Sequence, residues 1–402
     1  MHILHLMDPL LSRGSTYIRP HRATSKSRMR FGAATRCPGS FVRAAATIQA
    51  QCSEHKQTFC LVGPNRINAL SVDDQPAWDE QICPPLGTPE LAAPALRCLM
   101  ARLERVDVVH CWSIRMLRLA RLVCGRKTAY SVVLADLPVF EGTAGLVHRH
   151  LLRNSTVVVL CDADRDSLGD AIGTDYINHV RVSPIPISKK ETNPALRAAT
   201  RHDLQLADHE VAILIAGDLV STIDVGRIEF LLSSCTIMGL NPIALIPRGV
   251  PRIEELRRHL RKTARFDTVR FVHAPTSTLL QGVDMALLAS GTFNNRTSPG
   301  LAALGIASAH AHGVPCIAPA SIAPASLYPD EDARACLAFN SSLPEVARIL
   351  ARLVEDDELR ARAAKSVIRP FETSDRVTQF KQAVSSAWEC SINRSSFTHC
   401  PA

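Results

Sequence analysis

The sequence predicts an α/β protein with two doubly wound domains. Its 402 residues suit two domains, because a domain typically holds roughly 100–200 residues. Short apolar runs alternate with helical stretches along the whole chain, which is typical of parallel sheets covered by helices. The runs are continuous rather than alternating, as expected for strands buried on both faces. With 46% hydrophobic and 21% charged residues, the composition is that of a globular chain.

The strand and helix signals divide the chain at a proline- and lysine-containing stretch. Before it, predicted strands occupy 2–7, 58–63, 106–112, 129–134 and 156–161, with a helix at 89–106. After it, predicted strands occupy 210–217, 242–249, 269–274, 283–290, 315–320 and 336–339, with helices at 251–264 and 343–367. We therefore predict an N-terminal domain over 1–185, a hinge over 186–205 and a C-terminal domain over 206–370. A closing helix over 371–390 is expected to pack back towards the N-terminal domain.

The net charge of +8 is concentrated directly after the first predicted strand. No Asp or Glu lies between Pro9 and Ser53, and the basic residues there are Arg13, Arg19, Arg22, Lys26, Arg28, Arg30, Arg36 and Arg43. This basic segment, 13–43, is either a solvated loop or a contact for phosphate or an anionic membrane surface. It has no recognisable nucleic-acid-binding motif, so nucleic acid is not expected as a partner.

The cysteine pattern predicts a reducing, cytoplasmic environment. The 13 cysteines include no CxxC pair, so neither a zinc ribbon nor a redox motif is expected. The short His-x-His motifs at 148–150 and 310–312 lack an acidic or cysteine partner in sequence, and no metal is expected there. No apolar run is long enough to span a bilayer, and the N-terminus lacks the features of a signal peptide.

The stretch TSPGLAALGIASAHAHGVPCIAP predicts a helix of small residues, a turn and a buried strand. Ser298 suits the N-cap and Pro299 the first helical position, while Gly313 suits a left-handed C-terminal cap. The first turn of such a helix points unpaired N–H groups at a ligand and favours anions. The helix is therefore either a capped core helix or a phosphate site near Ser298 to Leu301.

The order of motifs along the chain resembles the glycosyltransferases of the GT-B fold, and family 4 of that group in particular. The motifs are VDVVHCWS (106–113), STVVVLCDADRDSL (155–168), EVAILIAGDL (210–219), DTVRFVHAPTSTLLQGVDMALLAS (267–290) and AHAHGVPCIA (309–318). The resemblance covers nearly the whole chain. It implies two Rossmann-like domains facing across a cleft, and transfer of a sugar from a nucleotide-sugar donor to an acceptor hydroxyl. It also implies a hexosyltransferase-type enzyme that retains anomeric configuration and needs no metal or other cofactor.

The resemblance also assigns the candidate site residues. The donor would contact the C-terminal half at Gly217, Asp218, Arg248, Gly249, His273, Ser298, Gly300, Leu301 and Ser308. In the N-terminal half, His110 and Asp136 end predicted strands and are the candidate catalytic residues. From the residues alone, His110 is as well explained as a core histidine, and Asp136 as a turn or helix cap. The acceptor is expected to be anionic or lipid-linked, with peripheral membrane association through the basic segment 13–43, in polysaccharide or glycoconjugate biosynthesis.

The sequence departs from family 4 at its two charged motifs. The usual pair of glutamates falls on Gly300 and Ser308, and the usual Arg/Lys pair falls on Asp218 and Val225. A leaving diphosphate still needs donors or cations, and the replacement cations would be Arg227, Arg248 or the basic segment 13–43. The departures favour an alternative, a catalytically inactive binding or scaffold protein. A nucleotide-sugar epimerase of the same fold is a third reading.

Overall fold

The chain folds into two compact units, each built on one parallel sheet. The structure, a computed structural model, describes residues 1–8, 39–63, 77–84, 89–103, 105–125, 128–135, 137–138, 140–187, 193–215, 225–247, 253–262, 268–272, 276–288, 299–319, 338–339, 342–368 and 375–397. Unit 1 comprises the described residues up to Pro186 together with those from Asp375 onward, and unit 2 comprises those in between. The chain thus leaves unit 1 once and returns to it with its last helix.

The sheet of unit 1 has seven parallel strands in the order β3-β2-β1-β4-β5-β6-β7. They are β1 (His2–Met7), β2 (Lys56–Val62), β3 (Glu80–Ile82), β4 (Val108–Cys111), β5 (Ala129–Val133), β6 (Thr156–Val159) and β7 (Val180–Val182). The central strands β1, β4, β5 and β6 are buried along their whole length. This burial explains their continuous apolar sequences.

Helices cover both faces of this sheet. They are α1 (Gly39–Gln51), α2 (Ala93–Arg102), α3 (Ile114–Cys124), α4 (Gly142–Arg153), α5 (Asp162–Ile172) and α13 (Asp375–Phe397), with single 3-10 turns at Pro89–Ala92 and Thr174–His179. Strand order runs outward in both directions from the β1/β4 boundary, so right-handed crossovers place α1 on one face and α2 to α5 on the other. The last helix, α13, packs across β4 to β7 and contacts α1.

Unit 2 repeats this design with six parallel strands in the order β10-β9-β8-β11-β12-β13. The strands are β8 (Ala212–Ile215), β9 (Ile243–Pro247), β10 (Val269–Val272), β11 (Met285–Leu287), β12 (Cys316–Pro319) and β13 (Ala338–Phe339). The helices are α6 (Pro194–Asp203), α7 (Val225–Ile237), α8 (Ile253–Lys262), α9 (Thr276–Gly282), α10 (Pro299–Ala311), α11 (Leu343–Glu355) and α12 (Asp357–Ile368). One contiguous apolar core joins this sheet to α7, α10 and α11.

Three predicted helices differ from the observed ones. The prediction of a single helix over 343–367 is wrong. Asp356 has an extended backbone, which ends α11. Its carboxylate accepts a hydrogen bond from Leu359 N at 2.8 Å and so caps α12. The helix predicted over 89–106 begins as a 3-10 turn and ends at Arg102. Within the segment predicted as a hinge, residues 194–203 form α6, which Asn193 caps through its side chain. The closing helix extends to Phe397.

The described cysteines and helices give two further findings. All ten cysteines in the described residues are free thiols. No described helix combines the length and apolar character that crossing a bilayer requires.

Candidate functional site

The sheet of unit 2 reverses its strand order between β8 and β11. From β8 the chain proceeds outward to β9 and β10, and then returns to place β11, β12 and β13 on the other side. In open parallel sheets the crevice at such a reversal, beyond the carboxyl ends of the strands, is the usual ligand site. Helix α7 follows β8 and helix α10 follows β11, so both helices begin at this edge.

Helix α10 begins and ends where its sequence predicts, while the predicted N-cap Ser298 lies outside the described residues. It begins at Pro299, as expected for a proline in the first turn. Gly313 has φ 69° just beyond its end, so the predicted left-handed cap is confirmed. Between these ends the helix has no charged side chain except a histidine near its C-terminus, and Gly300 is buried in its first turn. The anion-favouring dipole of the first turn is therefore not opposed by any acidic side chain of α10.

Ser308 lies further along α10 and is also buried. Its side chain is withdrawn from solvent, with the residue 4% exposed. In the described part of the chain its hydroxyl has no hydrogen-bond partner, while its backbone carbonyl lies 2.7 Å from the Nδ1 atom of His312. A buried hydroxyl without a partner is costly. Contact of Ser308 with the donor stays a prediction.

A buried cation lies in the first turn of α7. Arg227 is only 8% exposed, and it follows the carboxyl end of β8 by one connecting segment. Arginine is almost never this deeply buried unless it is paired. That Arg227 replaces the charged residues of the family pattern stays a prediction.

The opposite edge of the same sheet has a structural ion cluster. Asp284 precedes β11 and accepts hydrogen bonds from Arg197 at 2.6 Å, from Arg201 at 3.2 Å and from Ala212 N at 2.7 Å. These bonds join α6 to the amino ends of β8 and β11. Because both oxygens of the carboxylate accept hydrogen bonds from within unit 2, we interpret Asp284 as a stabilising residue.

Most of the predicted donor residues lie outside the described residues. These are Gly217, Asp218, Arg248, Gly249, His273 and Ser298, and the same holds for the candidate catalytic residue Asp136. In sequence the six donor residues follow β8, β9, β10 and β11, whose carboxyl ends share one edge of the sheet of unit 2. Asp136 follows β5 of unit 1. Of the donor set, Gly300, Leu301 and Ser308 are within the described helix α10. Their assignment to the donor stays a prediction.

In unit 1 the strand order reverses between β1 and β4, and two polar side chains meet there. The hydroxyl of Ser113 donates to Asp8 Oδ1 at 2.7 Å and accepts from Met116 N at 3.2 Å, which caps helix α3. Asp8 is 5% exposed although it carries a carboxylate. The sequence reasoning did not single out Asp8. The available signal was an acidic residue directly after the first buried strand.

The candidate catalytic residue His110 is in the interior of unit 1. Its ring is fully buried by α13, and Nδ1 accepts a hydrogen bond from Trp388 Nε1 at 3.1 Å and lies 2.7 Å from Ser131 Oγ. Burial lowers the pKa of His110 to about 3, so the ring is neutral near pH 7. His5 stacks on Phe59 nearby, with ring centroids 4.0 Å apart. A catalytic role for His110 stays a prediction, and contact with a substrate would require α13 to move off the ring.

Comparison with solved structures identifies the fold. No protein-family model and no curated protein matches the chain. Sucrose-phosphate synthase from Thermosynechococcus elongatus is similar, with a TM-score of 0.68 and 14% identity over 97% of this chain and 100% of that chain. HepE from Anabaena in complex with UDP and glucose has a TM-score of 0.66 and 14% identity over 97% and 100% of the two chains. WaaG, a glycosyltransferase involved in lipopolysaccharide biosynthesis, has a TM-score of 0.64 and 14% identity over 96% and 99%.

These neighbours cover essentially the whole chain, and they are glycosyltransferases of the GT-B fold. The predicted fold class is therefore confirmed: the chain has the α/β GT-B fold with two Rossmann-like sheets. At this level of identity the likeness establishes the fold alone. Membership of family 4 stays a prediction.

Proposed function

We propose that this protein is a glycosyltransferase that moves a sugar from a nucleotide-sugar donor to an acceptor hydroxyl. The observation that carries the proposal is the edge of unit 2 at which the strand order reverses between β8 and β11. There, the first turns of α7 and α10 begin and the buried Arg227 lies. A neighbour in the structure comparison supports the same proposal, since HepE has been solved with UDP and with UDP-glucose. The proposed transfer retains anomeric configuration and uses no metal.

The proposed chemistry depends on stabilising the leaving diphosphate. When the bond between sugar and diphosphate breaks, negative charge develops on the phosphate oxygens. The backbone N–H groups of Ser298, Gly300 and Leu301 would donate to these oxygens, and Arg227, with Arg248, would supply positive charge. Removal of a single well-placed donor typically lowers kcat by about 10²–10³-fold. This arrangement replaces charged side chains of the family pattern with backbone amides.

The sugar and ribose hydroxyls would be bound without the usual glutamates. Because Gly300 has no side chain, the donor would approach the helix backbone there, and the hydroxyl of Ser308 is the proposed contact for a donor hydroxyl. Gly217, Asp218, Gly249 and His273 would complete the pocket from the segments that follow β8, β9 and β10.

Unit 1 would bind the acceptor. Asp136 follows β5, and the Asp8–Ser113 pair lies at the reversal of strand order, so both carboxylates follow strands at the edge where ligands gather. The acceptor is proposed to be anionic or lipid-linked and to belong to cytoplasmic polysaccharide or glycoconjugate biosynthesis. The basic segment 13–43 is a proposed membrane contact.

A binding assay with a matched variant tests the proposal. Isothermal titration and thermal shift with UDP, GDP, ADP and their glucose derivatives should give at least one ligand that binds and stabilises the protein. Arg227→Gln should weaken that ligand at least tenfold, and Arg227→Lys should recover part of the loss. Arg360→Gln is the control, because that side chain is also largely buried in unit 2 but binds the carbonyls of Leu353 and Val354. It should lower the Tm and leave nucleotide affinity unchanged.

The alternative is a non-catalytic binding or scaffold protein, which the missing glutamate pair favours. Failure of every nucleotide and nucleotide sugar to bind would support this alternative. Release of free nucleotide from a donor, with an epimerised sugar and without any acceptor, would support the epimerase instead.

A further inference from the structure

Three consecutive helices on one face of unit 1 contain no acidic residue. Helices α2, α3 and α4 have the sequences APALRCLMAR, IRMLRLARLVC and GTAGLVHRHLLR. Their basic residues are Arg97, Arg102, Arg115, Arg118, Arg121, Arg149 and Arg153, with two histidines in α4. By contrast the next helix, α5, has four aspartates and one arginine in the sequence DADRDSLGDAI. Among α2 to α5, which lie on the same face of the sheet, the positive charge is therefore confined to α2, α3 and α4.

These helices are neighbours and form one continuous surface, the α2–α3–α4 face. Helix α3 lies between the other two and contacts both. Arg97 of α2 donates to the carbonyl of Leu122 in α3 at 3.5 Å. Arg121 of α3 donates to the carbonyl of Asn154 at the end of α4. The arginines thus lie along shared seams, and Arg97, Arg118 and Arg153 are exposed.

The same face exposes large aliphatic side chains. Leu146 is 62% exposed, Leu122 53%, Leu91 48% and Val147 46%. Leu91 belongs to the 3-10 turn that leads into α2 and contacts α3. Exposed aliphatic side chains grouped with arginines are typical of surfaces that lie in the headgroup region of a bilayer.

We propose that the α2–α3–α4 face docks on a membrane surface rich in anionic lipids. The arginines would pair with lipid phosphates, and the four aliphatic side chains would enter the boundary of headgroups and acyl chains. Nucleic acid fits less well, because the exposed apolar side chains are aliphatic and offer no ring for base stacking. A second copy of this chain fits less well too, since two faces with an excess of positive charge repel each other. The inference stands without the proposed reaction, because docking needs neither donor nor product.

Vesicle flotation with the full chain tests this surface. The vesicles contain either phosphatidylcholine alone or phosphatidylcholine with an equal part of phosphatidylglycerol. The protein should float with the mixed vesicles only, and less so as salt is raised. The variant Arg97→Gln/Arg118→Gln should lower the partition coefficient roughly 30-fold, because each surface arginine contributes about 1 kcal/mol. The control Arg348→Gln/Arg352→Gln removes two exposed arginines from α11 in unit 2 and should bind like the wild type.

A second pair of variants separates apolar insertion from charge. Leu122→Gln/Leu146→Gln should reduce binding roughly tenfold, whereas Ile237→Gln, at a residue 84% exposed in unit 2, should not. Equal flotation with both kinds of vesicle would overturn the proposal, as would wild-type binding by Arg97→Gln/Arg118→Gln. Loss of binding only in Arg19→Gln/Arg22→Gln would assign docking to the basic segment instead. A dimer that Leu122→Gln/Leu146→Gln dissociates, without any vesicle binding, would assign the face to self-association.

Discussion

The buried imidazole of His110 makes the stability of unit 1 strongly dependent on pH. The ring lies under α13, where Nδ1 accepts the indole N–H of Trp388, and burial lowers its pKa to about 3. In the unfolded chain the same imidazole titrates near pH 6.5. Between these two values the unfolded state binds a proton that the folded state does not.

The sign and the size of the effect follow from this difference. Stability is fully present above about pH 6.5 and decreases as the pH falls towards about 3. Each pH unit in this window removes about 1.4 kcal/mol, so the loss at about pH 5 is roughly 2 kcal/mol. The whole window corresponds to an order of 4 to 5 kcal/mol, a large part of the stability of an ordinary domain. The pKa of His5 is also lowered, first by burial and then by its electrostatic interaction with His110, so His5 contributes to the pH dependence in the same direction.

Urea unfolding followed by tryptophan fluorescence measures this loss. All three tryptophans, Trp78, Trp112 and Trp388, belong to unit 1, so the signal reports that unit. The reference variant is His110→Asn, whose side-chain amide keeps a hydrogen-bonding atom near Nδ1 but cannot take up a proton. Between about pH 7 and pH 5 the wild type should lose roughly 2 kcal/mol more than the variant. The same pH slope in both proteins would refute the reasoning.

Two further substitutions probe contacts that hold each unit together. Trp388→Phe keeps an aromatic ring in the interior but removes the N–H group that donates to His110. The free energy of unfolding of unit 1 should fall by about 1 kcal/mol in the same urea assay. No loss would show that this hydrogen bond is unimportant. Asp284→Asn leaves Arg197 and Arg201 without their carboxylate, and unit 2 should lose roughly 3 kcal/mol by calorimetry. In Asp284→Asn the tryptophan signal of unit 1 should be unaltered, and a shift in that signal instead would contradict the assignment.

The sequence predicted the features that depend on local chemistry. Continuous apolar runs located the central strands of both sheets, because a strand buried on both faces leaves this pattern in any fold. The short edge strands β3 and β7 were not predicted. Pro299 and Gly313 located the ends of α10 for the same reason, since capping depends on neighbouring residues only. These local signals were sufficient to predict the fold class.

Features that depend on distant residues were missed. His110 is buried by Trp388, which lies 278 positions later, and Asp8 is bound by Ser113, which lies 105 positions later. Helix α6 is held by Asp284, a partner that the proline-rich sequence before it does not reveal. Such pairings depend on chain topology, and a single sequence gives no spacing rule for them.

The central claim is that backbone amides at one edge of unit 2 bind a nucleotide diphosphate. Amide hydrogen exchange with and without saturating UDP measures this directly. The account predicts slower exchange in the first turns of α10 and α7, near Gly300 and Arg227, and unchanged exchange in α2 to α5 of unit 1. Unchanged exchange in both first turns with every nucleotide diphosphate tried, or protection confined to unit 1, would contradict it.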